Sequence, residues 1–265
     1  MALRRSLCAV NAGCLNEGMS TMLRHERAMN GRRLLPALAL TLAMSASAQN
    51  PLETLPNNYK LDMENQWVRV IRVHYAPHEK VPVHDHAEGP VVYVYLTDGG
   101  PVRFQHFTPR EVLAIRPATK QGGFRIHHAL VERHSVENAS DIPSDFLRVE
   151  LKALSAATQI PDVKVDPPVL SADENLEKVE FEDENLRIVR SVCAAHKTCI
   201  ARDVLAPALE IAFTPVTLTG IAARLVRITS QAGQVRWVAP VAHEEARNLG
   251  AVAAHRLRIE FKGAR

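Results

Sequence analysis

The stretch ENQWVRVIRVHYAPHEKVPVHD, residues 64–85, lies over EDENLRIVRSVCAAHKTCIARD, residues 182–203, at a constant offset of 118. The overlay pairs Glu64 with Glu182, Arg69 with Arg187, Arg72 with Arg190, Ala76 with Ala194, His78 with His196 and Asp85 with Asp203. A later block matches at an offset of 110, pairing Ala129 with Ala239, Val131 with Val241, Asn138 with Asn248, Arg148 with Arg258, Glu150 with Glu260 and Lys152 with Lys262. Two blocks in the same order imply a duplicated domain rather than an array of short repeats. Each copy reads as strands. In the first, 67–75, 91–96, 102–107 and 146–151 are rich in Val, Ile, Tyr and Phe; in the second, 186–192, 209–213, 224–229 and 256–261 repeat the pattern. Alternation is clearest in Phe146-Leu147-Arg148-Val149-Glu150-Leu151, and turn chemistry such as Asp98-Gly99-Gly100-Pro101 and Gln121-Gly122-Gly123 separates the runs. Many short strands with little helical periodicity predict an all-β chain with one sandwich or barrel per copy. The expected organisation is a leader over 1–48, a first domain over 49–158, a proline-rich linker over 159–173 and a second domain over 174–265.

The 265 residues are 46% hydrophobic, 5% aromatic and 23% charged, which fits a folded chain and excludes disorder, collagen and a multispan membrane protein. The formal charge of +3 comes from the first 48 residues, which hold six Arg and two Glu; without them 26 basic and 27 acidic residues remain. No electrostatic case for a nucleic-acid partner survives that subtraction. Met29-Asn30-Gly31-Arg32-Arg33, the apolar run 34–44 and Ala46-Ser47-Ala48 form the three parts of a secretory signal peptide, with cleavage expected after Ala48. The 11-residue run is short of the about 20 residues that span a bilayer, so no stable membrane anchor is expected, and the location expected is periplasmic or secreted. Residues 1–28 precede a complete signal, so translation starting at Met29 would exclude Cys8 and Cys14. The alternative is a cytosolic extension.

Of 12 histidines, eight fall between residues 74 and 134. In His84-Asp85-His86 the two imidazoles, two residues apart on a strand, point to one side. His134 is the candidate third ligand from another strand. H-x-H followed by the strand 91–96 and its turn, with a later His134-Ser135-Val136-Glu137-Asn138, resembles the two motifs of the cupin superfamily. The resemblance covers nearly all of 60–155, and the duplication extends it to about 263, as in bicupins. It implies two tandem double-stranded β-helix, or jelly-roll, barrels. The family's glutamate ligand would fall near Val91 or Val92, which cannot bind metal, and Glu88 is out of place. The implied site is therefore three histidines, His84, His86 and His134, holding one divalent transition metal (Fe, Mn, Ni, Cu or Zn), with positions left for water or substrate. The alternative is barrel-lining histidines satisfied by hydrogen bonds.

In the second copy His84, His86 and His134 become Arg202, Val204 and Glu244, and Glu210 falls at Val92. Two carboxylates would then face an otherwise apolar pocket beside Arg202, either holding a small polar ligand or simply completing an intramolecular pseudo-dimer. Cys193 and Cys199 flank a short loop and could pair as a disulfide in an oxidising compartment or remain buried thiols. Tyr93 and Tyr95 share a face and could line the pocket, with His106 as a further wall candidate. Of His127 and His128 only one can face inward, and His128 is carried as the pocket candidate. No P-loop, dinucleotide fingerprint, nucleophile elbow or H-E-x-x-H helix is present. Three functions stay open: a metal-dependent enzyme, with dioxygenase-like oxidation of a small organic molecule ahead of isomerisation or hydrolysis; a non-catalytic binder of a small molecule or metal; and a structural cupin. No individual catalytic residue is assigned, and the expected assembly is a monomer or homodimer.

Overall fold

The computed structural model describes residues 49–171, 173–220 and 227–263. The expected leader, with its signal peptide over 29–48 and extension over 1–28, lies outside the described residues, as does part of the strand expected over 224–229. The first copy contributes a short helix α1 (Pro51–Thr54) and strands β1 (Tyr59–Glu64), β2 (Arg69–Tyr75), β3 (Lys80–His86), β4 (Val91–Tyr95), β5 (Val102–Thr108), β6 (Val112–Arg116), β7 (Phe124–His127), β8 (Glu132–Asn138) and β9 (Ser144–Glu150). The connecting segment adds β10 (Val163–Val165). The second copy holds β11 (Leu176–Glu182), β12 (Leu186–Cys193), β13 (Arg202–Val204), β14 (Ala208–Ala212), β15 (Val216–Gly220), β16 (Arg227–Ser230), β17 (Val235–Val238), β18 (Val241–Glu244), β19 (Ala246–Asn248) and β20 (Ala254–Phe261).

In the first barrel a six-stranded sheet, β1-β2-β9-β4-β7-β10, faces a four-stranded sheet, β3-β8-β5-β6. The second barrel repeats the large sheet as β11-β12-β20-β14-β17 and divides the small one into β13-β18 and β16-β15-β19. The linker is therefore not a free tether, because β10 pairs antiparallel with β7.

The duplication recurs at the level of single hydrogen bonds. β1 bulges between Leu61 and Met63, and β11 bulges between Val179 and Phe181, each 118 residues later. The buried Asn138 amide donates to the carbonyls of Tyr75, Ala76 and Ile142. Asn248 does the same with Cys193, Ala194 and Val252. These paired asparagines satisfy backbone carbonyls at a sharp corner where no strand partner is available. An ionic ladder at the sheet edge is also doubled: Lys152 and Arg69 hold Glu64, and Lys262 and Arg187 hold Glu182.

The two barrels share one apolar core. Val92, Val94, Phe124, Ile126, Leu147 and Val149 of the first large sheet pack with Leu186, Ile188, Leu209, Ile211, Leu257 and Ile259 of the second. Trp67 and Trp237 stack at its margin with ring centroids 6.3 Å apart. Because strand side chains alternate, burying one face in this seam sends the intervening residues into each barrel's own interior. On β9, Leu147 and Val149 enter the seam, and Phe146 and Arg148 turn inward.

The interior of the second barrel corrects the expected apolar pocket. Glu210 accepts from Arg236 at 2.8 Å and Arg256 at 3.1 Å, and Arg202 bridges it to Glu244 at 2.7 Å. Arg202 also donates to the Ser191 hydroxyl at 2.7 Å. The carboxylates are thus met by three guanidinium groups from the chain itself. The alignment of Glu210 with Val92 is corrected as well. Glu210 pairs across the sheet with Arg258, as Tyr93 pairs with Arg148. It therefore stands in the place of Tyr93, and the one-residue slip turns it from the seam to the interior. Cys193 and Cys199 form a disulfide with Cα atoms 5.0 Å apart.

The shared seam predicts that Leu147→Ala, at a fully buried position, lowers stability by about 2–5 kcal/mol. Denaturant unfolding followed by tryptophan fluorescence should remain a single transition, whereas Leu113→Ala, at an exposed position, should fall within about 0.5 kcal/mol of wild type. Separate transitions for the two copies of Leu147→Ala would contradict a common core. The ion cluster makes a second prediction. Burial by itself raises the Glu210 pKa, but Arg256, Arg236 and Arg202 outweigh it and hold the carboxyl at about 2. The ion-pair stability is present above the ordinary value near 4.5 and is lost as pH falls toward 2. Glu210→Gln should cost about 3–5 kcal/mol at neutral pH. The gap from wild type in urea midpoint should close as pH falls through that window; a gap independent of pH would contradict the assignment.

Candidate metal centre

Two strands of the small sheet position the three histidines. β3 pairs with β8 so that His84 lies directly opposite His134, and His86 opposite Glu132. Between the two ligands Asp85 points to the other face, where Arg133 grips both carboxylate oxygens at 3.0 and 2.7 Å. This outward ion pair fixes the register that turns the imidazoles inward. One nitrogen from each of His84, His86 and His134 can be chosen so that all lie within 4.8 Å of one another. The rings are 4.7 to 5.1 Å apart, centroid to centroid.

The environment keeps these rings neutral. Burial pushes the His134 pKa down to about 3, against the raising influence of Glu132, and burial lowers His84 and His86 as well. Neutral imidazole is the form that binds metal. His84 Nδ1 donates to the Pro82 carbonyl at 2.8 Å, which directs the Nε2 lone pair into the site. The Tyr59 hydroxyl lies 2.8 Å from that Nε2 and 2.6 Å from the hydroxyl of Tyr75, so here the lone pair accepts from Tyr59, and a metal bound at Nε2 would take the place of that hydrogen bond. Burial raises the Tyr59 pKa well above its ordinary value, so it remains a hydrogen-bond donor. Both ring nitrogens of His134 are buried without a hydrogen-bond partner. A buried imidazole with two unmet nitrogens is unfavourable unless something else binds it. By donor chemistry, distance and this unmet pair, the three residues fit a divalent transition metal.

His86 and His134 open onto a cavity of about 650 Å³, and His84 is fully buried behind them. Tyr93, Tyr95 and His106 line the same cavity. His106 stacks on Phe104 with ring planes 17° apart, and its centroid is 5.3 Å from that of His134. The expectation for His128 is corrected. Phe124 and Ile126 of β7 enter the seam, so alternation turns Arg125 and His127 inward. His128, beyond the strand end, is exposed and bonds Asp162 at 2.8 Å. Glu88 is exposed.

Several site residues escaped the sequence reading: Tyr59, Tyr75, Phe146, Glu132, Arg148 and Arg125. Glu132 is the carboxylate beside the histidines, two residues before His134 on the same strand face. Its proximity to His134 was readable from parity. Its partner was not: Arg148 donates to Glu132 at 2.6 Å, to Glu150 at 3.1 Å and to the Tyr93 hydroxyl at 2.7 Å. Although burial opposes both charges, Arg148 draws the Glu132 pKa to about 2, and Tyr93, Glu132 and Glu150 keep Arg148 protonated.

No protein-family model matches the chain, and no curated protein matches it. Solved structures do. AerE from Microcystis aeruginosa superposes with a TM-score of 0.52 at 11% identity, covering 77% of this chain and 97% of that one. A Pseudomonas aeruginosa protein described as glyoxylate induced gives 0.52 at 10% identity, covering 77% and 79%. A cupin 2 conserved barrel domain protein from Leptotrichia buccalis gives 0.45 at 10% identity, covering 76% and 86%. At these identities the likeness is one of fold. Its strand order and its doubled corners give two tandem double-stranded β-helix barrels, the cupin-like fold expected from the sequence, and the first two superpositions share that fold over 77% of the chain.

Proposed function

We propose that the protein is an exported metal-binding bicupin that acts on a small organic molecule in the first barrel by oxidative, dioxygenase-like chemistry. The observation that carries this reading is the convergence of three neutral imidazoles, two of them on the wall of a cavity of about 650 Å³ and the third buried behind them, with both nitrogens of His134 unmet. That volume lies within the range of about 300–1,000 Å³ common to ligand pockets. His84, His86 and His134 would hold the metal, which when bound supplies Lewis-acid polarisation or a redox centre for oxygen chemistry. The chain's own groups prepare the surroundings. Pro82 fixes the orientation of His84, and the Tyr59 and Tyr75 hydroxyls hold a proton within hydrogen-bond reach of the ligand set. Tyr95, Phe104 and Phe146 keep the cavity largely apolar and limit competing water. The Glu132–Arg148 pair sets a fixed, neutralised dipole beside His134.

Export is supported by the tripartite leader pattern and by the Cys193–Cys199 disulfide, since such bonds persist mainly in oxidising compartments. The amino terminus of exported protein should be Gln49. A non-catalytic binder would use the same site without turnover.

Metal analysis of protein purified without chelator is expected to give close to one first-row transition metal per chain. A His84→Ala/His86→Ala variant with an intact thermal transition should carry little. Equal metal contents in the two would remove the site. Oxygen uptake with enediol and diketone substrates should be present in the wild type and absent in the variant; stoichiometric metal without turnover across that panel would favour the binder.

A further inference from the structure

Of the arginines lining the cavity, Arg148 is paired with Glu132 and Arg110 stands exposed just beyond β5; the other two, Arg116 and Arg125, carry a positive charge that nothing among the described residues answers. Arg116, at the end of β6, is 8% exposed, and among the described residues its guanidinium makes one hydrogen bond, from Nη2 to the Ser144 hydroxyl at 2.7 Å. Its guanidinium carbon lies 5.4 Å from the Tyr95 ring centroid and 5.2 Å from that of Phe146. Arg125 on β7 lies over Tyr93 at 5.4 Å. Among the described residues neither forms an ion pair, and the Nε of each is buried without a hydrogen-bond partner. Both line the same cavity as His86 and His134. Among the described residues the one carboxylate lining the cavity, Glu132, is already held by Arg148.

The second barrel supplies an internal control. Arg125 pairs across the sheet with Tyr93, and Arg236 pairs in the same way with Glu210. At that doubled position the second barrel provides its own anion, 2.8 Å from Arg236, and the first provides a phenol. The buried Arg202 and Arg256 of the second barrel likewise meet carboxylates. A buried guanidinium such as that of Arg116 is unfavourable without a counter-charge, and Arg125 beside the same cavity is half-buried with its Nε unmet, so their retention around an open cavity points to an anion arriving from outside.

We infer that the ligand of the first barrel is an organic carboxylate whose anionic group is taken up by Arg125 and Arg116; this rests on the reading that the cavity accepts a small organic molecule. The rings beneath the two guanidinium groups, Tyr93 and Tyr95, are alternate residues of β4 and therefore about 7 Å apart along the strand. The arginines reach over these rings from different sheets, Arg125 from β7 and Arg116 from β6, as two separate contacts rather than a single fork, and the aromatic residues that share the cavity suit a flat carbon body. The cavity is walled mainly by strands, whose N–H groups serve the sheet ladders, with Pro109, Arg110, Pro117 and Leu130 added from the connections between them. A phosphate would ordinarily find a helix terminus or a backbone nest, so the two arginines favour a carboxylate.

Calorimetric titration of the full chain tests this with benzoate, phenylacetate and glutarate against their neutral amides, on chelator-stripped and metal-loaded protein. In stripped protein the best carboxylate should bind at least tenfold more tightly than its amide. Arg125→Met and Arg116→Met should each weaken that carboxylate tenfold or more, leaving the amide unchanged. The wild-type comparison stands even where a variant fails to fold. No preference for any carboxylate, or carboxylate affinity unchanged in folded variants of both arginines, overturns the proposal. Because the stripped arm needs no metal, carboxylate preference in a protein that never loads metal would retain this inference and remove the metal reading; stoichiometric metal without carboxylate preference would do the reverse.

Discussion

The alternation of side chains across the two large sheets is the constraint on which the rest of the molecule depends. β4, β7 and β9 on one side, and β14 and β20 on the other, each give every second residue to a single apolar seam. A strand so pinned cannot slip by one residue without presenting charge to that seam, so the intervening side chains are fixed as barrel lining. Tyr93, Tyr95, Arg125, Phe146 and Arg148 owe their inward direction to partners they never touch. The ligand-bearing small sheet is set differently: its register is tied on the outside by Asp85 and Arg133.

Around the histidines, burial has opposite effects on different groups. It keeps the imidazoles neutral and the Tyr59 phenol protonated, both forms without charge. Charge enters as matched opposites where Arg148 meets Glu132 and Glu150. The unmatched cations, Arg116 and Arg125, stand apart from that set and on the cavity wall. The same physical rule, that buried charge requires a partner, therefore separates structural ions from candidates for ligand recognition.

Much of this was legible in the sequence where chemistry is local. The H-x-H spacing places both imidazoles on one strand face, and duplicated Asn138 and Asn248 marked equivalent corners. Period-two alternation in 146–151 exposed a strand, and the inward charge of Arg148 and Glu150 was written in it. What could not be read was pairing across the barrel. Nothing local to Arg148 names Glu132 as its partner, and nothing near Tyr59 points to His84. The misplacement of Glu210 has a similar cause, since an offset that holds through 85 slips by one before β14, and sequence carries no ladder to reveal the slip. For His127 and His128 parity said that only one faces inward but not which; the neighbours Phe124 and Ile126 in the seam assign the inward place to His127, and His128 lies beyond the strand end.

The cystine of the second barrel has an implication for its ancestry. Cys193 occupies the place of Tyr75, and Glu177 that of Tyr59, because β11 and β12 repeat the register of β1 and β2. Reinstating imidazoles at 202, 204 and 244 would still leave a crosslink where one phenol stood and an acid engaged with Arg258 where the other did. The later half has diverged beyond simple reversion. Any laboratory resurrection of a twin centre must rebuild the supporting hydroxyls before the ligands themselves.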